Sequence, residues 1–153
     1  MPPLTLRFLR TAAGFLLIGI ALGLWLLIGR ELRGVWPARH LVSAHAHLLL
    51  VGSVLSTILG TALWLFPRPV STDHRVRAWH GEAAYWCITV GTVARTAGEI
   101  ARASSGASMW RWIAVIGGSL QLTGLAFGLL ALRARVRASV SPRSAPPSSP
   151  PQL

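Results

Sequence analysis

Hydrophobic residues in this chain fall into four long runs separated by short polar stretches, a pattern typical of α-helical membrane proteins. The runs extend over about residues 8–29, 41–66, 78–101 and 112–132. Each is long enough for one crossing, because a helix needs roughly 20 apolar residues to span the hydrocarbon core of a bilayer. We therefore predict an all-α fold, an integral membrane four-helix bundle formed by residues 1–138, with the lipid bilayer as its surroundings.

Both ends of the chain bear on this topology. Arg7 and Arg10 lie at the start of the first run, as in a secretory signal peptide, but no clear cleavage site follows, so we interpret the run as a retained helix. From Ser139 the sequence is rich in Ser, Pro and Ala, a composition that cannot bury a core. We predict that residues 139–153 form a disordered tail.

The charge of the chain predicts its orientation. The formal net charge is +11, and all 15 basic residues are arginines, against 4 acidic residues. Most arginines flank the hydrophobic runs and form no single face, which argues against a nucleic-acid partner. If the helices cross alternately, one side has Arg7, Arg10, Arg68, Arg75, Arg77, Arg133, Arg135, Arg137 and Arg143, and the other has Arg30, Arg33, Arg39, Arg102 and Arg111. The positive-inside rule then predicts cytoplasmic termini in a multi-pass protein of a prokaryotic cytoplasmic membrane.

Tryptophans predict where the membrane surfaces lie. Several are near the ends of the runs, namely Trp36, Trp79, Trp110 and Trp112. Because Trp is enriched at both membrane–water interfaces, we interpret these residues as an aromatic belt and assign them no chemistry.

Two histidines inside the second run are the most informative polar residues. His45 and His47 lie in the segment AHAHLLLVG, which begins at Ala44. A helical residue advances about 100°, so the two imidazoles point to nearly opposite sides of one helix. They cannot chelate one ion from a regular helix, yet an imidazole in hydrocarbon is costly unless something binds it. The pair therefore predicts two separate metal or cofactor contacts.

The remaining histidines give weaker signals. His40 lies beside Arg39 at the start of the second helix, on nearly the same face as His47 but about 10 Å higher. We interpret Arg39 and His40 as interfacial, and leave open a copper-ligand role for His40 and a cofactor contact for Arg39. His80 differs from His47 in depth by roughly 25 Å, so these two residues cannot hold the same metal within one copy.

Arg95 and Glu99 are charged residues inside the third run. Their i, i+4 spacing places them on one face, where they can pair, at about the depth of the two histidines. Charges at such depth usually face the bundle interior or mark a site. Two interpretations stay open: a structural pair that neutralises itself, and a cofactor contact in which Arg95 meets an anionic edge while Glu99 orients it.

Small residues predict close approaches within the bundle. Gly52 shares a helical face with His45, which would leave room for a flat ligand such as a porphyrin. Gln121 is expected to bond to a neighbouring helix, because a buried amide in hydrocarbon needs a partner. The glycines of the fourth run predict tight helix packing, and they are Gly117, Gly118, Gly124 and Gly128.

The segment from Ala44 to Gly52, continuing to Leu59-Gly60 and Phe66-Pro67-Arg68, resembles the heme–copper oxidase superfamily. More narrowly, it is similar to short four-helix proteins related to the cbb3-type catalytic subunit I, and to NnrS-like proteins of the nitric-oxide response. In the large catalytic subunits, helices form arcs of four, and a His-x-His element ligates one heme with each histidine. The resemblance implies that this chain corresponds to one such arc.

A ring-like homo-oligomer follows from this resemblance and from the opposed histidines. In a ring, His45 of one copy and His47 of the next would clamp the iron of a heme b at each interface, and we prefer a trimer over a dimer. The family's oxygen chemistry is not expected, since Tyr85 is the only tyrosine and no His-His pair is present. Oxygen reduction and proton pumping therefore find no support.

We accordingly expect an electron-transfer cytochrome without independent catalytic turnover, whose redox partner the sequence does not name. Two alternatives remain open. One is a membrane protein that handles or senses copper or heme, with His40, His45 and His47 passing the metal along. The other is a non-catalytic subunit of a larger respiratory complex.

Overall fold

The computed structural model describes residues 2–66, 79–105 and 107–140, which are almost entirely helical. The elements are α1 (Pro3–Arg33), α2 (Arg39–His47), a π-helical segment (Leu48–Leu55), α3 (Ser56–Leu65), α4 (Trp79–Ser105) and α5 (Ser108–Val140). Because α2, the π-helical segment and α3 follow one another without a break, the described residues form four helical rods. The four helices predicted from the hydrophobic runs are thus confirmed.

Proline and glycine define the limits of α1. Pro3 occupies the first helical turn, where its fixed φ angle fits and its missing N–H is not needed. Gly34 ends the helix with φ 64°, a left-handed conformation that glycine adopts without steric cost. The following N–H, from Val35, donates to the carbonyl of Gly29 at 3.0 Å. The chain therefore leaves α1 in a short turn toward α2.

Three of the four rods are long and apolar enough to cross a membrane, which suggests a membrane protein. They are Pro3–Arg33, Arg39–Leu65 and Ser108–Arg133. Large apolar side chains remain on the surface of the folded chain, with Leu17 and Leu122 each 70% exposed. Contiguous exposed apolar surface of this kind marks a membrane or protein contact.

The remaining rod, α4, is more polar and is not among these three candidates. Its polar side chains face inward: Thr92, Thr96 and Glu99 are all buried. Its exposed side has large apolar residues, among them Trp86 and Val93. This arrangement is the reverse of a helix on the surface of a water-soluble protein.

The rods alternate in direction. Arg7 near the start of α1 forms an ion pair with Glu82 near the start of α4, with 3.1 Å between Nη1 and Oε2. Arg135 near the end of α5 donates to the carbonyls of Leu63 and Phe66 at the end of α3. The start of α1 and the end of α5 therefore lie at the same end of the bundle.

This topology groups the described arginines by end, as the alternating helices predict. Arg68, Arg75, Arg77 and Arg143 lie outside the described residues. The predicted disordered tail also lies outside them from residue 141 onward, while Ser139 and Val140 are the last residues of α5.

The core lies toward the end of the bundle where α1 begins. Phe8, Leu59 and Ile88 are each no more than 2% exposed there. The ring of Phe8 meets that of Tyr85 edge to face, with 5.2 Å between centroids. The phenol oxygen of Tyr85 is 2.9 Å from Thr11 Oγ1, so the only tyrosine joins α1 to α4.

Glycines bring α4 and α5 into backbone contact. A Cβ on Gly91 would come within 2.7 Å of the carbonyl oxygen of Gly117, and one on Gly124 would lie 2.9 Å from the backbone nitrogen of Ile88. Gly128 instead packs against Leu59 of α3. Gln121 Nε2 donates to Thr92 Oγ1 at 3.1 Å, which confirms the predicted bond to a neighbouring helix.

Candidate functional site

His45 lies against α1. Its Nδ1 is 2.9 Å from the carbonyl oxygen of Gly19. A carbonyl oxygen can only accept, so Nδ1 carries the proton in this bond. In a neutral imidazole the lone pair is then on Nε2.

Glycine at position 23 makes this placement of the ring possible. A Cβ on Gly23 would overlap the His45 ring, and one at Gly19 would lie 2.6 Å from a methyl carbon of Leu49. Because neither glycine has a side chain, α1 approaches α2 closely enough for the ring to reach a backbone carbonyl. The position of His45 is therefore set by two residues of α1.

His47 has the same protonation pattern but a different neighbour. Its Nδ1 is 2.9 Å from the carbonyl oxygen of Ser43, one turn earlier on α2. That bond again places a proton on Nδ1, which in a neutral ring leaves Nε2 as the acceptor. Ser43 and His47 share the side of α2 that faces α4, whereas His45 faces α1. The prediction that the two rings lie on different sides of one helix is confirmed.

Ser43 also connects α2 to the charged pair on α4. Its Oγ donates to Glu99 Oε1 at 2.7 Å, and the same oxygen accepts from Arg95 Nε at 3.3 Å. The side chain of Glu99 is 10% exposed and that of Arg95 is 29% exposed. The predicted pairing of Arg95 with Glu99 is confirmed, and the bond from Ser43 places the pair beside the histidine-bearing helix.

Arg95 reaches from this network toward α5. A Cβ on Gly118 would lie 2.7 Å from Nη1 of Arg95, so the guanidinium packs against α5 at this glycine. In the part of the chain that the structure describes, Glu99 Oε2 and Thr96 Oγ1 are buried and receive no hydrogen bond. Polar side chains thus follow one another through the interior of the bundle, from His47 through Ser43 and Glu99 to Arg95.

Arg39 and His40 are the first two residues of α2, close to two turns above His47. His80 stacks on the ring of Trp79, with 4.3 Å between centroids. It precedes Glu99 by 19 residues on α4, or about 28 Å of helix. Over the three described ranges, no group of three or more His, Cys, Asp or Glu side chains is placed to hold a metal ion.

Gly52 does not line an open space. A Cβ there would lie 2.9 Å from the ring of Phe15 on α1 and 3.0 Å from the methyl group of Thr92 on α4. Side chains of the same chain thus occupy the room expected for a porphyrin. Gly52 serves close packing of three helices, because any larger residue would push Phe15 or Thr92 away.

The π-helical segment that begins directly after His47 is a feature that sequence reasoning missed. Such segments are rare and frequently accompany functional sites. Hydroxyl groups support it at its end, where Ser56 Oγ donates to the Val51 carbonyl at 3.3 Å and Thr57 Oγ1 to the Ser53 carbonyl at 2.9 Å. This group of hydroxyl residues was the available signal in the sequence.

Comparison with known proteins adds no family: no family model, curated protein or solved structure matches this chain.

Proposed function

We propose that this chain is an integral membrane heme b-binding protein that transfers electrons, and that His45 and His47 would hold the heme iron. One observation carries the proposal: Nδ1 of both imidazoles lies 2.9 Å from a backbone carbonyl oxygen, to which it can bond only as a donor, and in the neutral ring this leaves the lone pair on Nε2. Metal-ligating histidines almost always hold their second nitrogen in this way, which fixes the ring orientation and the tautomer.

The residues fit a heme in their chemistry. Two neutral imidazoles within apolar helices are the ligand set of a b-type cytochrome, and a bound heme supplies one-electron exchange at iron. The chain's own groups orient the ligands, since the Gly19 carbonyl holds His45 and the Ser43 carbonyl holds His47. If His45 and His47 both bound the iron, they would leave no ligand position for a gas, which favours electron transfer over oxygen chemistry.

The two rings face different sides of one helix, so we propose that each heme lies between neighbouring copies. His45 of one copy and His47 of the next would bind the same iron in a homotrimeric ring. We further propose that α4 is a fourth membrane crossing, supported by its exposed apolar side and buried polar side. Four crossings would place both termini on the same side of the membrane, and the distribution of the arginines makes that side the cytoplasm of a prokaryotic cell.

Absorption spectra of the full chain in detergent test the heme assignment. We expect sharp α and Soret bands on reduction, and loss of these bands in His45→Ala and in His47→Ala. His40→Ala and His80→Ala are matched controls that should keep them. A colourless wild-type protein would contradict the proposal, and copper bound without porphyrin would favour the copper-handling alternative.

Complementation tests whether the heme is shared between copies. When His45→Ala and His47→Ala chains are co-expressed, a mixed ring contains one interface with both histidines intact. Random mixing of trimers should then restore about a quarter of the wild-type heme content. A heme held within one chain would show no recovery, because every copy lacks one ligand.

A further inference from the structure

An open groove of about 570 Å³ lies between α4 and α5 at the end where α4 finishes. Three arginines line it, Arg95 and Arg102 from α4 and Arg111 from α5. We propose that this groove binds the phosphate of an anionic phospholipid, with an acyl chain of the same lipid along the exposed apolar side of α5.

The charges of the groove favour an anion. Three guanidinium groups face one carboxylate, that of Glu99. Glu99 Oε1 accepts from Ser43 and from Nε of Arg95, while Oε2 accepts no hydrogen bond from the described residues. The terminal nitrogens of Arg95 take no part in these bonds, and Arg95 lines the groove. Guanidinium groups suit phosphate because their planar N–H donors match two phosphate oxygens at once.

The shape of α5 distinguishes a lipid from a free anion. Beyond the charged residues the groove is lined by α5, through Ala114, Val115, Gly118 and Leu122, with Ser119 as the one polar side chain among these α5 lining residues. Val115 is 58% exposed and Leu122 is 70% exposed, so an apolar strip continues for about 12 Å from Ala114 to Leu122. A free phosphate would make no contact with this strip, whereas a lipid would pack its acyl chain against it.

Trp112 marks the depth of the groove. Its side chain is 68% exposed, directly after Arg111 in sequence. Exposed Trp is enriched at the level of the lipid head groups, so Arg111 and Arg102 lie at that level and Arg95 lies deeper. Gly118 leaves the space that the Arg95 guanidinium occupies, since a Cβ there would lie 2.7 Å from Nη1.

Lipid titration of the full chain tests the proposal. The delipidated protein in detergent is titrated with phosphatidylglycerol or with phosphatidylcholine, and native mass spectrometry counts the lipids retained. We expect at least about tenfold tighter retention of phosphatidylglycerol. Arg102→Gln with Arg111→Gln should lower its affinity about 25-fold, at about fivefold for each arginine removed.

Three further variants keep the outcome decisive. Arg10→Gln with Arg33→Gln, the same change of charge at two exposed arginines elsewhere, should leave retention unchanged. If the first double variant fails to fold, Leu122→Asp provides a second test that disrupts only the acyl-chain strip. The His47→Ala protein should still retain the lipid. If this variant loses the lipid together with the heme, the arginines serve a heme carboxylate and the proposal is overturned.

An excess of inorganic phosphate supplies the last comparison. Retention of phosphatidylglycerol in its presence supports a lipid site, and full displacement would assign the groove to a free anion instead. Equal retention of the two lipids by the wild-type chain would also overturn the proposal. Heme absorbance, recorded on the same samples, separates these results from a failure of the heme assignment.

Discussion

Ser43 Oγ and Glu99 Oε1 are 2.7 Å apart, in a hydrogen bond that joins the helix carrying both histidines to α4. The backbone carbonyl of the same serine accepts the Nδ1 proton of His47. One residue therefore contributes to the orientation of an imidazole and to the contact between two helices. A hydrogen bond to a charged group is among the stronger ones in a protein interior.

Ser43→Ala should lower the free energy of unfolding by about 1.5–3 kcal/mol, because Glu99 loses a donor inside the bundle. Thermal unfolding of the detergent-solubilised chain, followed by far-ultraviolet circular dichroism, measures the change. Ser104→Ala is the matched control, since the Ser104 hydroxyl is exposed and bonds only to Ala101 of its own helix. Equal effects of the two substitutions would contradict the importance of the bond to Glu99.

Gly23→Ala should destabilise the chain by about 1–3 kcal/mol, because its Cβ overlaps the His45 ring. Gly14→Ala on the same helix is the control, as no atom lies within 4 Å of a Cβ there. That control should be neutral or stabilising by up to about 1 kcal/mol, since alanine favours helix. Under the proposed function, Gly23→Ala should also lower the heme content while Gly14→Ala leaves it unchanged.

Gly117→Ala should separate α4 from α5, because a Cβ at that position meets backbone atoms of Gly91 and Arg95 that cannot rotate away. We expect a loss of at least about 1–3 kcal/mol in the free energy of unfolding. Gly29→Ala is the control, with only the Val35 carbonyl as near as 4.0 Å. A stable Gly117→Ala protein with an unchanged unfolding midpoint would show that the helices do not touch there.

The bond between Thr92 and Gln121 should appear in a double-mutant cycle. Thr92→Val and Gln121→Leu are expected to couple by about 0.6 kcal/mol, the average for hydrogen bonds between membrane helices. Thr123→Val provides the reference, because the Thr123 hydroxyl bonds to Ser119 of its own helix. Coupling between Thr123 and Gln121 as large as that between Thr92 and Gln121 would contradict the assignment.

The sequence could predict which residues share a face of a helix only where the helix keeps its regular α-helical spacing. That spacing places His45 opposite His47, and it pairs Arg95 with Glu99, because both relations lie within regular α-helix. The relation between His45 and Gly52 extends across the π-helical segment, where wider turns replace the α-helical spacing. Periodicity alone therefore could not show that Phe15 and Thr92 fill the space beside Gly52.

Tertiary contacts explain the remaining differences. Ser43 has no sequence signal of its own, since its importance comes from Glu99, 56 residues later in the chain. The polarity of α4 was visible in the sequence, but which of its sides faces inward depends on how α5 packs against it. The packing glycines were visible in composition, yet only the fold shows that Gly128 meets α3 while Gly124 meets α4.

The inward-facing polar side of α4 has a consequence for biogenesis. A charged residue at the centre of an isolated membrane helix opposes translocon-mediated insertion by about 2.5–3.5 kcal/mol. In α4, the pairing of Arg95 with Glu99 offsets this insertion cost only in part. The rest is offset once Ser43 and the glycines of α5 at positions 117 and 118 pack against the pair. If α4 is the fourth membrane crossing, as proposed above, its co-translational entry into a bilayer should therefore wait for α5, so that the two helices insert as a hairpin.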